Sequence, residues 1–323
     1  MKYQEFIELV TEDVKSQVEK GTEVTLHQVV KNNGITLDAI SILRENYGTA
    51  PNIYLNAYYE QYQNGRELES ISSEIMMLYH NIQVQTRIDL SRLEQFEGIR
   101  SNIIYRLVNY KKNKEILKDT PHIRFVDLAI IFYCLVDKDE EGIGSFRISN
   151  ELAEKWNVSS QQLMKQAQRN MQKLFPAKLT TMEELLSGML KADMNQMFEN
   201  YEDILEPEQI REDTENIVSR ILEDMRENRT VEMFVLTNHM GINGAGTILY
   251  PDILKNFAEL CRSNLYLLPS SIHEFIIVPK YEFIRKEELT QMVQEVNESQ
   301  VAPEEILSDH VYEYCMEQDC IIV

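Results

Sequence analysis

The chain has 323 residues, of which 43% are hydrophobic and 26% charged, a balance that excludes wholesale disorder. Its 11 Gly and 8 Pro are too few for a collagen-like or linker-rich design. With 32 basic against 53 acidic residues the formal net charge is −21, which argues against generic binding to a phosphate backbone, since that needs Lys and Arg to release counterions.

Residues 3–19 place Phe6, Ile7, Val10, Val14 and Val18 at helical spacing, and Gly21 ends the helix. Strands are predicted from Val24 to Val30 and from Ile35 to Leu43. Between them, Lys31-Asn32-Asn33-Gly34 carries the Asn-Gly pair that suits a type I′ turn. Gly48 to Pro51 breaks the chain. Asn52 to Gln63 reads as a helix with Tyr54, Tyr58, Tyr59 and Tyr62 on helical spacing. That face is expected to pack as core with its hydroxyls at the rim; the alternative is a face that meets a partner. Leu68 to Ile82 is a further helix. This α-β-β-α-α unit, residues 1–85, is the expected first domain, and 86–323 the second, larger α+β domain.

Residues 87–98 read as helical, Asn102 to Tyr110 as a strand, and Lys111 to Lys118 as a basic turn or short helix. Ile123 to Val136 reads as one long strand, apolar on both faces and therefore central in its sheet. Asp137 to Gly144 turns the chain into a short strand, Ser145 to Ser149. Asn150 is expected to cap a helix through Trp156. Ser159 and Ser160 open another that ends at Phe175-Pro176. Residues 178–232, with 15 acids and 6 bases, read as an acidic helical insertion. Met233 to Thr237 and Phe275 to Val278 are predicted strands. Pro251 to Ser263, Glu287 to Val296 and Pro303 to Tyr314 are predicted helices. The fold class expected is α+β, with mixed or antiparallel sheets and packed helices. Charge is unevenly spread: 281–323 holds 11 acids and 2 bases, whereas 99–125 holds 7 bases and 2 acids.

The four cysteines, Cys134, Cys261, Cys315 and Cys320, show no C-x-x-C spacing. Such sparse usage points to a reducing cytosol, with no disulfide framework and no metal site. The N-terminus shows no signal-peptide pattern. The longest apolar run, Leu128 to Val136, is nine residues, against the ~20 that a membrane helix needs. Cys320-Ile321-Ile322-Val323 has the C-a-a-X shape of a prenylation signal. It also fits an apolar segment ending as a short strand, and no basic stretch precedes it.

Several segments carry residues from which chemistry is built. Gly241-Ile242-Asn243-Gly244-Ala245-Gly246 lies between a predicted strand and a predicted helix, where backbone N–H groups would face a phosphate. Its G-x-x-G-x-G order is not the dinucleotide fingerprint and no Gly-Lys-Ser/Thr follows, so a tight turn is the favoured reading and phosphate binding the alternative. Gly241, Gly244 and Gly246 are the candidate cofactor-binding positions, with no cofactor implied. Asp137 to Gly142 begins like a calcium loop, but Ile148 stands where the bidentate Glu belongs. His310, Cys315 and Cys320 cannot converge on a metal if the segment is one helix. Ser270, Ser271, His273 and Glu274 precede a strand without any G-x-S-x-G elbow. Asp127 interrupts an apolar run and must be paired or hydrogen-bonded; Arg124, Arg106 and His122 are the partners within reach along the chain. The candidate catalytic residues are therefore His122, Asp127, His273 and Glu274.

A set of strings resembles one family of bacterial proteins, the domain-of-unknown-function family numbered 5688. They are Ala50-Pro51-Asn52-Ile53-Tyr54-Leu55, Pro121-His122-Ile123-Arg124-Phe125, Leu236-Thr237-Asn238, Leu267-Leu268-Pro269-Ser270-Ser271-Ile272-His273-Glu274 and Glu304-Glu305-Ile306-Leu307-Ser308-Asp309. The resemblance implies a cytoplasmic protein of gut-dwelling Gram-positive bacteria and carries no assigned activity, cofactor or site residue.

The charge polarity and the Tyr-rich helix favour an interaction or regulatory protein without catalysis, with a protein partner that presents a basic surface. Membrane is not expected as a partner, and nucleic acid is disfavoured. Two rivals stand beside that reading. One is an enzyme centred on Asp127, His122, His273 and the Gly241–Gly246 loop. The other is an acidic mimic of nucleic acid.

Overall fold

The computed structural model describes residues 1–44, 52–85, 95–138, 143–199, 214–221, 223 and 231–323. The expectations for Gly48–Pro51, for most of 87–98, for the calcium-like loop and for the centre of the acidic insertion lie outside the described residues. The described chain is α+β, with helices packed on antiparallel sheets. It divides into two compact units. One holds 1–104, 110–122 and 132–166; the other holds 105–109, 123–131 and 167–323.

The first unit opens with helix α1 (Tyr3–Gln17) and strands β1 (Thr22–Val30), β2 (Thr36–Arg44) and β3 (Asn52–Tyr54). Helices α2 (Leu55–Gln63) and α3 (Leu68–Gln85) follow. The three strands form an antiparallel sheet in the order β1–β2–β3. At the first turn Asn33 and Gly34 take φ of 60° and 73°, the left-handed geometry for which Asn-Gly is suited. Phe6, Ile7, Val10 and Val14 of α1 pack with Ile40, Ile42, Ile53, Leu55, Ile71 and Ile75 in one core. Asn52–Tyr54 is a strand, not the first turn of a helix, because Ile53 pairs opposite Ile40 and is buried there. Three of the four tyrosines join this core: Tyr58 is buried, and Tyr59 and Tyr62 pack against it, with Tyr59 5.2 Å from the Phe6 ring and 5.0 Å from the Tyr3 ring.

A second sheet contains β4 (Ile103–Asn109), β5 (His122–Phe125), β6 (Leu128–Lys138) and β7 (Ile143–Arg147), in the order β4–β6–β5 with β7 also on β6. Helices α4 (Phe96–Ile99) and α5 (Lys114–Lys118) flank β4 in sequence. The single strand expected over Ile123–Val136 is two strands, and the chain reverses at Val126-Asp127. Apolar residues on both sides of Asp127 conceal the reversal, and the turn lacks Gly: Val126 itself adopts φ 55°, a conformation that β-branched residues rarely take. Helix α6 (Asn150–Lys155) is capped by Ser149, whose Oγ accepts from the Leu152 N–H at 3.2 Å. Asn150, the expected cap, instead donates its Nδ2 to the Lys118 carbonyl at 2.9 Å. Helix α7 (Ser160–Leu174) begins with a reciprocal Ser159–Gln162 capping box.

The second unit is built on a six-stranded antiparallel sheet in the order β13–β12–β10–β11–β9–β8. Its members are β8 (Ala177–Thr181), β9 (Phe234–Asn238), β10 (Leu265–Pro269), β11 (Phe275–Pro279), β12 (Tyr312–Cys315) and β13 (Cys320–Ile322). Helices α8 (Met182–Glu199), α9 (214–221), α10 (Ile253–Cys261) and α11 (Lys286–Ser299) connect or cover them. All five residues of β10 are buried, as a central strand requires. Tyr266 and Leu268 of β10 pack with Val278, Leu289, Val293 and Val311, so α11 lies on that face. Two expectations are corrected. The acidic insertion begins with a strand, since β8 pairs residue for residue with β9 from Ala177↔Asn238 to Thr181↔Phe234. The helix expected over Pro303–Tyr314 is a run of turns leading into β12. There Tyr312 and Tyr314 alternate with less buried neighbours, a period of two that outweighs the helix-forming Glu304-Glu305 pair. No helix among the described residues is long and apolar enough to cross a membrane.

Candidate functional site

Asp127 sits at the tip of the β5–β6 turn, and the segment running into β12 closes over it. The Ser308 hydroxyl donates to Asp127 Oδ2 at 2.7 Å, and the Tyr312 hydroxyl donates to Oδ1 at 2.6 Å. His310 Nδ1 lies 3.1 Å from Oδ2. The Ser308 Oγ also accepts from the His310 backbone N–H at 3.1 Å, which fixes the bend that brings the three side chains to one carboxylate. Behind them, Asn297 of α11 donates its Nδ2 to the Ser308 carbonyl at 3.0 Å and to Asp309 Oδ1 at 2.9 Å. Asn109 of β4 donates to the Leu307 carbonyl at 3.1 Å.

Partial burial pushes the Asp127 carboxyl up. The hydrogen bonds from Tyr312, Ser308 and His310, together with the charge on His310, outweigh that and hold it below the usual carboxylate range. Tyr312 moves the other way: burial and the neighbouring carboxylate both disfavour a phenolate. The set contains Ser, His and Asp but is not wired as a nucleophilic triad. The serine donates directly to the carboxylate rather than to the imidazole, and Ser308 is 0% exposed. His310 is the open member, with 55% of its side chain exposed.

His273 belongs to a second polar set. Its Nδ1 accepts from the Asn243 N–H at 3.1 Å, which places the ring proton on Nε2, facing Glu305 Oε1 at 3.3 Å. The Ser271 Oγ accepts from the His273 N–H at 2.9 Å and donates to Glu274 Oε1 at 3.2 Å, so Glu274 closes the turn ahead of β11. The Gly241–Gly246 loop docks on this turn. Ala245 N–H donates to the Ile272 carbonyl at 3.2 Å, and the Thr237 hydroxyl donates to the His273 carbonyl at 2.8 Å. A Cβ on Gly244 would fall 2.1 Å from Thr237 Oγ1 and 2.5 Å from the His273 carbonyl oxygen, so only Gly fits. Gly241 needs its freedom for φ 68°. Gly246 lies against the Tyr105 ring, whose hydroxyl donates to the Gly246 carbonyl at 3.2 Å. The N–H groups of Gly241, Asn243 and Ala245 are thus spent inside the protein.

His122 has its own partner, with Nδ1 2.8 Å from the Thr120 carbonyl oxygen. Hydrogen bonding therefore sorts the sequence-derived candidates into separate sets: Asp127 in one, His273 and Glu274 in another, His122 in a third. The groups that hold the Asp127 oxygens come from 181 to 185 residues downstream, not from the basic side chains beside it in sequence. Arg124 Nε donates to the Val126 carbonyl at 3.2 Å. The sequence does not single out Ser308, Tyr312 or Glu305 as site residues, and it brings in His310 only as a metal ligand to be discounted. Their one available signal was the density of polar residues in Glu304–His310 beside a strand-like Tyr312-Glu313-Tyr314 alternation. Among the described residues no group of three or more His, Cys, Asp or Glu side chains is placed to hold a metal ion.

A family model described as a family of unknown function, DUF5688, matches residues 3–316. No curated protein and no solved structure matches the chain.

Proposed function

The chain belongs to the family of unknown function DUF5688, and from that premise we propose that it is a non-enzymatic interaction protein of the bacterial cytosol whose partner presents a basic surface. The observation that carries this reading is the outer side of α11. Leu289, Val293 and Asn297 face the core, while Glu287, Glu288, Glu295 and Glu298 are exposed together with Met292 and Val296. Just before the helix, Phe283 is 64% exposed and stacks on Tyr281 at 5.7 Å. Carboxylates beside an exposed aromatic pair suit Lys and Arg, through charge at the rim and cation–π contact at the rings. The test is capture from native lysate by the wild-type chain and by a Glu287→Lys/Glu288→Lys/Glu295→Lys/Glu298→Lys variant. Basic proteins retained by the first and lost by the second, with retention falling as salt rises, support the reading. An identical set on both baits would overturn it.

A specific observation favours a second reading. His310, exposed and with Nδ1 on the Asp127 carboxylate, has the arrangement of a general base. Under that reading a screen for ester, amide and phosphoester hydrolysis gives an activity that His310→Ala abolishes at unchanged stability. Activity that survives the substitution would remove it.

A further inference from the structure

We propose that Cys315 and Cys320 are an oxidisable pair that closes to an intrachain disulfide by exchange with a small-molecule disulfide such as oxidised glutathione. The two residues stand directly opposite each other in the β12–β13 ladder, flanked by the pairs Tyr314↔Ile321 and Glu313↔Ile322. Directly opposed residues of an antiparallel pair send their side chains to the same face, with Cα atoms about 4.5–5.5 Å apart. That falls inside the roughly 4.4–6.8 Å over which disulfides form. Their Cβ atoms, at about 4.5–5.5 Å, need to close by about 1 Å to reach disulfide spacing. β13 is the edge strand of its sheet and pairs with β12, so the adjustment falls on one strand and the four-residue connection Met316–Asp319.

All four cysteines are free thiols, and they differ in setting. Cys134 is buried in β6 opposite Phe146, and burial pushes its thiol up to about 12. Cys261 is on α10 and is likewise raised by burial and by Glu232. Cys315 and Cys320 are both partly exposed. Cys315 shares a face of β12 with Glu313, which holds the Lys280 ammonium at 2.7 Å. Lys280 is itself raised, first by that hydrogen bond and, among smaller influences, by the Cys315 sulfur, so the ammonium and this thiol are electrostatic neighbours.

The chemistry balances in two exchanges. The Cys315 thiolate, its proton lost to solvent, attacks one sulfur of the small disulfide; the S–S bond breaks and one thiolate leaves. The deprotonated Cys320 sulfur then attacks Cys315 Sγ in the mixed disulfide. The intrachain bond forms and a second small thiolate leaves. Two protein thiols are oxidised, one small disulfide is reduced to two thiols, and the two protons released are taken up by the leaving thiolates. The weak contact from Cys320 Sγ to Gln318 Oε1, 3.6 Å, is given up on closure.

Equilibration of the full-length protein in glutathione redox buffers, native and in urea, tests this. Products are trapped by alkylation and cleaved after Glu317, which lies between the two cysteines. The expected result is loss of two thiols of four and a pair of fragments that separate only on reduction. The native closing constant should exceed the urea value by about tenfold or more. Cys320→Ser should stop at a glutathione adduct on Cys315. Adducts that persist on both cysteines of the wild type, disulfide-linked dimers, or equal constants in native and urea conditions would overturn the proposal.

Discussion

Three donors converge on Asp127, and its carboxyl titrates below the ordinary range. A folded-state pKa lower than the unfolded one contributes stability that is present above the unfolded value and is lost as pH falls through the folded one. Wild-type stability should therefore decline on the acid side below about pH 5, and Asp127→Asn should flatten that decline in urea titrations across pH 3–7. Asp127→Ala at neutral pH leaves the Tyr312 and Ser308 hydroxyls without their acceptor and should cost about 2–4 kcal/mol. The loop glycines should rank by space. A Gly244→Ala Cβ meets the His273 carbonyl oxygen and the Asn238 backbone nitrogen, at 2.5 and 2.7 Å, and should cost about 3 kcal/mol. Gly241→Ala faces open space and pays only its left-handed φ, about 1 kcal/mol. Thermal or chemical denaturation of the two variants checks the order. At this scale the sequence showed that Asp127 needed partners, because a carboxylate in an apolar run cannot stand unpaired. It could not show which, because the partners are distant in sequence and hydroxyls carry no charge pattern to search for.

Elements were legible where one face is wet. The spacing of Phe6, Ile7, Val10 and Val14 places α1, and the alternation of β1 and β2 around Asn33-Gly34 places the first hairpin. Legibility failed where both faces are dry or both are wet. β6, buried along most of its length, follows Phe125-Val126 with only Asp127 between, and β8, with Lys178 and Leu179 exposed, has no buried alternation to read. The turn at Val126-Asp127 was hidden because it lacks the residue its backbone favours. Replacing Val126 by Ala removes two methyl groups and by Gly one carbon more, but only Gly accepts φ 55° without strain. Val126→Gly should therefore be more stable than Val126→Ala by about 1 kcal/mol in equilibrium unfolding.

At the scale of the whole chain, the core that runs from Phe6 to Tyr79 draws every buried member from residues 1–85. We propose that this fragment folds alone. Cooperative unfolding of the isolated 1–85 fragment, with a near-ultraviolet signal from its packed tyrosines, is the expected outcome; a featureless, non-cooperative melt would show that it needs the rest of the protein. A chain this short buries only about 60–65% of its unfolded surface, so its transition should be marginal and come well below that of the full protein.

The Asp127 cluster also sets a timetable. Asp127 leaves the ribosome long before Ser308, which follows 181 residues later. At about 5–20 residues per second that interval lasts roughly 10–35 s. Throughout it the β5–β6 tip has its left-handed valine and no hydroxyl or imidazole to hold its carboxylate. The six-stranded sheet is in the same position, since β12 and β13 come last of its six strands in chain order and β12 takes its place beside β10. The nascent second unit therefore waits, with β10 lacking one neighbour, until Tyr312–Cys315 has been made. Chaperone dependence during synthesis should accordingly concentrate in that half of the chain.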